Sequence, residues 1–286
     1  MSGLAPLESL YEVEHGSDLP LPSELAAVYG RLQLPLYPGR PYVIGNFVTT
    51  LDGVVALSTT DQSGGGAISG HNPHDRMVMG LLRAIADAVI VGAGTQRAAL
   101  RHRWTAAHVY PALAEAYEHL RTALGKAEPP LNVIVTARGA INLDVPVFQS
   151  GEVPVLIVTT ADGLQRMGVH GLPPAVQAIA VQSTGRLSAQ AILDAVNGAR
   201  RSEVILVEGG PQLLGDFLAE RRLDELFLTL APQIAGRDGS MERPGLVSGR
   251  CFAPEQPLWG RLVGVKRGGS HLFLRYAFTT VAGTAG

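Results

Sequence analysis

Asp87-Ala88-Val89-Ile90-Val91-Gly92-Ala93-Gly94-Thr95 runs four apolar residues straight into a glycine turn. A run this short and uniformly apolar reads as a strand buried on both faces, the habit of a parallel sheet covered by helices. Just upstream, Asn72 to Ala86 sets Met77, Leu81, Leu82 and Ile85 at helical spacing, with Asn72 as cap and Pro73 in the first turn. Downstream the strand theme returns at 131–136, 155–159, 176–181 and 203–210. Leu187 to Ala199, capped by Ser188, and the stretch from Pro211 to Arg222 read as helices between or after them. Residues 42–53 form another strand, closed by the Asp52-Gly53 turn, and 225–232, 261–267 and 271–278 follow as strands with no helix between them. The pattern predicts an α/β fold with a mainly parallel central sheet flanked by helices and antiparallel C-terminal edge strands.

Residues 1–40 have a different texture. Leu4 to Tyr11 and Pro22 to Tyr29 read as short helices in a segment broken by Pro20, Pro22, Pro35, Pro38 and Pro41. They are expected to form an extension packed on a main domain over 41–282. At 61–70, DQSGGGAISG is read as flexible, because Gly64, Gly65 and Gly66 hold no single conformation unaided.

Composition narrows the function. Of 286 residues 46% are hydrophobic and 17% charged, enough apolar material for a large core. The net charge of −2 lacks the basic footprint of a nucleic-acid binder. Cys251 is the only cysteine, which excludes an intrachain disulfide and a Cys-x-x-Cys zinc site. The acidic N-terminus has no signal-peptide core and no apolar run reaches membrane length, so a cytoplasmic protein without membrane partners is expected.

Chemistry in such sheets gathers beyond the carboxyl ends of the strands. Gly92-Ala93-Gly94-Thr95 lets backbone amides approach a phosphate, or is simply a turn. Glu208-Gly209-Gly210-Pro211 ends a strand in a carboxylate beside an anion-attracting helix start; Glu208 there either ties down the loop or accepts hydrogen bonds from a substrate. Asp52, with Thr49 and Thr50 before it, is a turn former or a site residue. Arg76 and Arg83 share the helix before the glycine turn, as solvated arginines or as phosphate clamps. Arg101, His102 and Arg103 read as a basic surface loop. Thr136-Ala137-Arg138 suits an adenosine 2′-phosphate, or leaves its arginine in water. No Rossmann or Walker fingerprint is present, Ser63 and Ser69 lack a nucleophile elbow, and no metal site is expected at His71 and His74.

In order along the chain, Asn46-Phe47-Val48-Thr49-Thr50-Leu51-Asp52-Gly53, Ala67-Ile68-Ser69-Gly70, the run Leu82 to Thr95, and Val207-Glu208-Gly209-Gly210-Pro211 resemble the pyrimidine reductases of riboflavin biosynthesis. The resemblance spans about 41–280, and residues 1–40 are similar to the actinobacterial stand-alone branch. It implies a dihydrofolate-reductase-like fold, a homodimer, and NADPH-dependent reduction of 5-amino-6-(5-phosphoribosylamino)uracil, with hydride passing to C1′ of the opened ribose. It implies cofactor contacts at Thr50, Ser69, Gly92, Gly94, Thr95, Thr136, Arg138, Gly209, Gly210 and Leu213. Substrate contacts fall to Asn46, Arg83, Arg103 and Glu208, and catalytic roles to Glu208 and Asp52. The zinc deaminase domain fused to many relatives needs two cysteines that this chain lacks, so the reductase alone is expected. The family's usual lysine and aspartate are replaced by Asn46 and Ala99. That leaves open a pterin substrate such as dihydrofolate, or a nucleotide-binding protein with a decayed site.

Overall fold

The computed structural model describes residues 3–57, 65–168, 172–183 and 185–278. In chain order the elements are β1 (Glu8–Glu12), β2 (Ser17–Asp18), α1 (Ser23–Tyr29), β3 (Gln33–Leu34), β4 (Tyr42–Thr49), α2 (Gly65–Ile68), α3 (Pro73–Ile85) and β5 (Ala88–Gly92). Next come α4 (Ala93–Ala98), α5 (Ala106–Val109), a 3-10 turn at Pro111–Leu113, α6 (Ala114–Ala123), β6 (Leu131–Thr136), α7 (Pro146–Gln149), β7 (Val155–Thr159), α8 (Ala161–Met167) and β8 (Val176–Ala180). The chain finishes with α9 (Ala189–Ala199), β9 (Val204–Val207), α10 (Pro211–Ala219), β10 (Glu225–Leu230), β11 (Arg261–Gly268) and β12 (His271–Ala277).

A 10-stranded sheet runs β1-β11-β12-β10-β4-β9-β5-β6-β7-β8. From β10 to β8 every neighbouring pair is parallel; β12, β11 and β1 add antiparallel partners at the other end. The expected architecture is therefore present.

Period-two alternation sorts the side chains into two cores. On β5, Val89 and Val91 face one cluster with Met77, Leu81 and Leu82 of α3 and Tyr117 of α6, while Ala88 and Ile90 face a second with Ile192 and Val196 of α9 and Leu214 and Phe217 of α10. Strands β6, β7 and β9 divide the same way, which gives a helix–sheet–helix sandwich. The caps behave as their chemistry predicts: Asn72 accepts from the amides of His74 and Asp75, and Ser188 from that of Ala191.

The N-terminal segment corrects one expectation. Helix α1 is present, but residues 8–12 are a strand, not part of a helix. Pro6 removes a donor inside the proposed helix, and β11 offers an unpaired edge whose ladder β1 completes. Leu7 anchors the approach, buried in the core with its amide bonded to the Val28 carbonyl at 2.8 Å. Gly65 and Gly66, expected in a flexible stretch, belong to the helical turn α2; Ser63, Gly64 and residues 279–282 lie outside the described residues. Helices α4, α6 and α8 carry no strong sequence signal and emerge only from the fold. No helix among the described residues is long and apolar enough to cross a membrane.

Candidate active site

The chain leaves β4 through α2 and α3, enters β5 two places away, and returns later to lay β9 between them. A sheet that changes direction in this way opens a crevice at its carboxyl edge, where the loops diverge. A cleft of about 500 Å³ occupies that place, lined by Asn46 of β4, Arg76, Met79 and Arg83 of α3, Thr95 after β5, and Glu208 with Gly210 after β9.

Its floor is an ion pair. The Arg83 Nη2 lies 2.8 Å from Glu208 Oε2, both side chains under 5% exposed, and Arg83 Nε donates to the same oxygen at 2.9 Å. Asn46 Nδ2 donates to Glu208 Oε1 at 3.2 Å. Only the amide nitrogen can serve a carboxylate, so the Asn46 carbonyl oxygen is turned away from Glu208. The remaining Arg83 nitrogen meets His102 Nε2 at 2.8 Å and the Thr105 carbonyl at 3.3 Å, and Nη2 also reaches the Met79 sulfur at 3.3 Å. Every nitrogen of this guanidinium is thus engaged by the protein.

His102 is the residue that sequence reading missed; it turns inward from the basic loop. Burial, and then the Arg83 charge, drive its pKa down to about 2. Because arginine only donates, Nε2 must be the bare nitrogen and Nδ1 carries the proton. His108 packs edge-on against it, with ring centroids 4.6 Å apart, and burial lowers its pKa too. No local pattern marks either histidine, because only the path of the loop brings them to α3.

Glycine shapes the opposite wall. A Cβ on Gly209 would stand 2.9 Å from Thr95 Oγ1 and 3.0 Å from Val91 Cβ, so the Glu208 loop lies against the β5 turn only without a side chain. Gly210 caps α10 with φ +74°. Gly92 caps α4, and a side chain at Gly94 would meet nothing within 4 Å.

Other expected site residues are placed elsewhere. Asp52 accepts from Thr50 Oγ1 at 2.6 Å and from the amides of Ala235 and Gly236 at 3.0 and 2.8 Å, and these bonds hold its carboxyl well below the usual range. Thr50 and Asp52 therefore clamp one loop to another rather than line the cleft. Arg103 is half-buried and pairs with Glu152 at 2.5 Å. Ser69 is buried behind the cleft wall, its carbonyl accepting from His271 at 3.0 Å. Leu213 packs in the core beneath α10. Thr136 ends β6 and exposed Arg138 follows it on the same carboxyl edge, next to Gly92, whose register partner is Val135. Buried Asp75 at the cleft has its pKa raised by desolvation. Among the described residues no three His, Cys, Asp or Glu side chains gather into a metal site.

Sequence comparison matches residues 41–266 to the RibD C-terminal domain model. The chain belongs to the RibD C-terminal domain family. No curated protein matches it closely enough to add to that assignment. A pyrimidine reductase-like protein from Corynebacterium diphtheriae superposes with a TM-score of 0.67 at 21% identity, over 90% of this chain and 99% of that one. A diaminohydroxyphosphoribosylaminopyrimidine deaminase/5-amino-6-(5-phosphoribosylamino)uracil reductase from Thermotoga maritima gives 0.59 at 22% identity, over 84% of this chain. This chain spans 57% of that bifunctional protein's length. Riboflavin biosynthesis reductase Rib7 of Saccharomyces cerevisiae gives 0.52 at 15% identity, over 84% of this chain and 90% of that one. At these identities the likeness is one of fold.

Proposed function

We propose that the protein is an NADPH-dependent reductase converting the ribosyl group of 5-amino-6-(5-phosphoribosylamino)uracil to ribityl in riboflavin biosynthesis. The observation that carries this reading is the cleft itself: in a chain of this family, a buried Arg83–Glu208–Asn46 constellation faces a glycine-walled turn across the strand ends.

The glycine wall fits a dinucleotide. Gly209 permits an approach of two backbones that a Cβ would block, and Gly94 leaves open space over the β5 turn. Gly92, Gly94, Thr95, Gly209 and Gly210 would hold the cofactor's pyrophosphate and nicotinamide half, with Thr136 and Arg138 toward its adenosine end. When bound, NADPH supplies the hydride.

The chain's own residues position and shield. Arg83 holds the Glu208 carboxylate in place, so Glu208 can accept from a substrate N–H without reorganising. The Asn46 carbonyl oxygen offers a second acceptor, suited to the donor edge of an aminouracil. Neutral His102 holds Arg83 without adding a charge. Asp52 and Thr50 act at one remove, by fixing the loop after β4. Catalysis is assigned to residues 41–282, with 1–40 as the extension, in a cytoplasmic homodimer.

Oxidation of NADPH followed at 340 nm tests the reading. Turnover is expected with the deaminated phosphoribosylamino-pyrimidine and not with dihydrofolate. Turnover with dihydrofolate alone would move the substrate to the pterin class; NADPH binding with no turnover on either would mark a decayed site.

A further inference from the structure

The cleft holds one acid to which the proposed reaction has so far given no task. Asp75, in the first turn of α3, lines it together with Met79 and Arg83, which lie four and eight residues on and so on one face of the helix. Asp75 is 5% exposed, and the Thr229 hydroxyl of β10 faces it from the sheet. Thr229 is in register with Val48 of β4, two residues past Asn46 on the same face of the sheet. That sets Asp75 over a position one pleat repeat, ~6.6 Å, beyond Asn46.

No salt bridge reaches this carboxyl among the described residues. Arg76, its chain neighbour and also in the cleft, gives its Nε to the Val109 carbonyl, and Arg83 is held by Glu208. His271 of β12 faces Asp75 as well, but its ring nitrogens are taken by Asn72 and by the Ser69 carbonyl, each at 3.0 Å. The hydrogen-bonding neighbours that remain are the hydroxyls of Ser69 and Thr229. Desolvation, with the nearby Glu208 carboxylate adding to it, raises the Asp75 pKa against the pull of those hydroxyls and of His271.

Reduction of an imine consumes a proton, and the other titratable groups of the cleft are poorly suited to give one. Both Glu208 oxygens accept from the protein, Oε2 from Arg83 and Oε1 from Asn46. His102 turns a bare Nε2 to Arg83 with its pKa near 2, and burial lowers that of His108. Arginine keeps its protons. His71 is exposed, at the edge of the cleft.

We propose that Asp75 is the proton donor of the reduction, its carboxylic acid protonating the imine nitrogen as hydride reaches C1′ of the opened ribose. The C=N π bond breaks, and a C–H and an N–H bond form. The electron pair of the Asp75 O–H bond stays on the carboxylate, which takes a proton back from solvent, and NADPH is left as NADP+. The inference deepens the proposed function and rests on it.

Initial rates with NADPH and the deaminated phosphoribosylamino-pyrimidine, measured against pH on the full chain, test the role. In wild type kcat/KM should fall on the alkaline side, as Asp75 of the free enzyme ionises. The carboxyl carbon resonance of Asp75 in the ligand-free protein, assigned by its absence from Asp75→Asn, should titrate over the same pH range, above that of an ordinary aspartate. Asp75→Asn should lose about a hundredfold or more in kcat, lack the alkaline limb and keep its NADPH affinity. Its melting temperature at neutral pH should match or exceed that of wild type, because a buried carboxyl that resists ionisation is gone. Thr229→Val removes a hydrogen bond that favours the charged form, so limb and resonance should move together to higher pH. Wild-type kcat in Asp75→Asn, a resonance titrating in the ordinary range, or loss confined to His71→Asn would each overturn the donor assignment while the reductase reading stands. No turnover by wild type would overturn that reading and the donor role with it.

Discussion

His102 shows how a single residue depends on its surroundings for its chemistry. Against Arg83 it is a neutral acceptor, with a pKa near 2, whereas an unfolded chain leaves histidine near 6.5. Between those values the unfolded state binds a proton that the native state refuses. The stabilising contribution is therefore complete above about pH 6.5 and is lost progressively as pH falls toward 2. His108 is shifted in the same direction. His102→Gln keeps an acceptor for Arg83 and removes the titration. Its urea midpoint should vary less than that of wild type between pH 7.5 and 5; equal slopes would mean that His102 titrates normally in the folded protein.

At the scale of the element, the strand–turn–helix units around the cleft are set by close backbone approach. Gly209 packs against Val91 and Thr95 at distances no Cβ tolerates, whereas Gly94 opens onto free space. The two glycines should therefore respond differently to substitution. Gly209→Ala is expected to cost ~1–3 kcal/mol of stability through overpacking, read as a lower melting temperature. Gly94→Val should keep the melting temperature and weaken NADPH binding, seen by fluorescence titration. Unchanged affinity in Gly94→Val would remove the β5 turn from the cofactor site. Much of this was legible beforehand. The apolar run 88–91, the Asn72 and Ser188 caps and the glycine pairs are local signals, and they report local structure faithfully. The strand at residues 8–12 was not, because what selects it is the vacant edge of β11, some 250 residues away in the chain.

For the whole molecule, the parallel half carries the cleft, and the antiparallel flank ties both chain ends to it. Glu225 of β10 is fully buried and accepts from Arg275 of β12 at 2.6 Å and from Tyr42 of β4 at 2.9 Å, so one carboxylate links three adjacent strands. Removing it would strand the Arg275 charge, whose side chain is 5% exposed. Glu225→Ala should destabilise the fold by ~3–5 kcal/mol in urea unfolding, and the paired change Glu225→Met with Arg275→Met should recover most of that loss. A cost below 1 kcal/mol for the single change would show that water reaches Arg275 in the native state.

The sequence by itself determined the sheet-and-helix alternation, the two-faced burial of the central strands and the glycine turns at their ends, since each follows from the periodicity and conformational range of neighbouring residues. Only the tertiary structure decided that Arg83 is held by Glu208 and His102 and that Asp52 clamps loops. Those outcomes depend on which charges meet at the carboxyl edge of the sheet. Residues 125 positions apart become partners there, and no local pattern records the meeting.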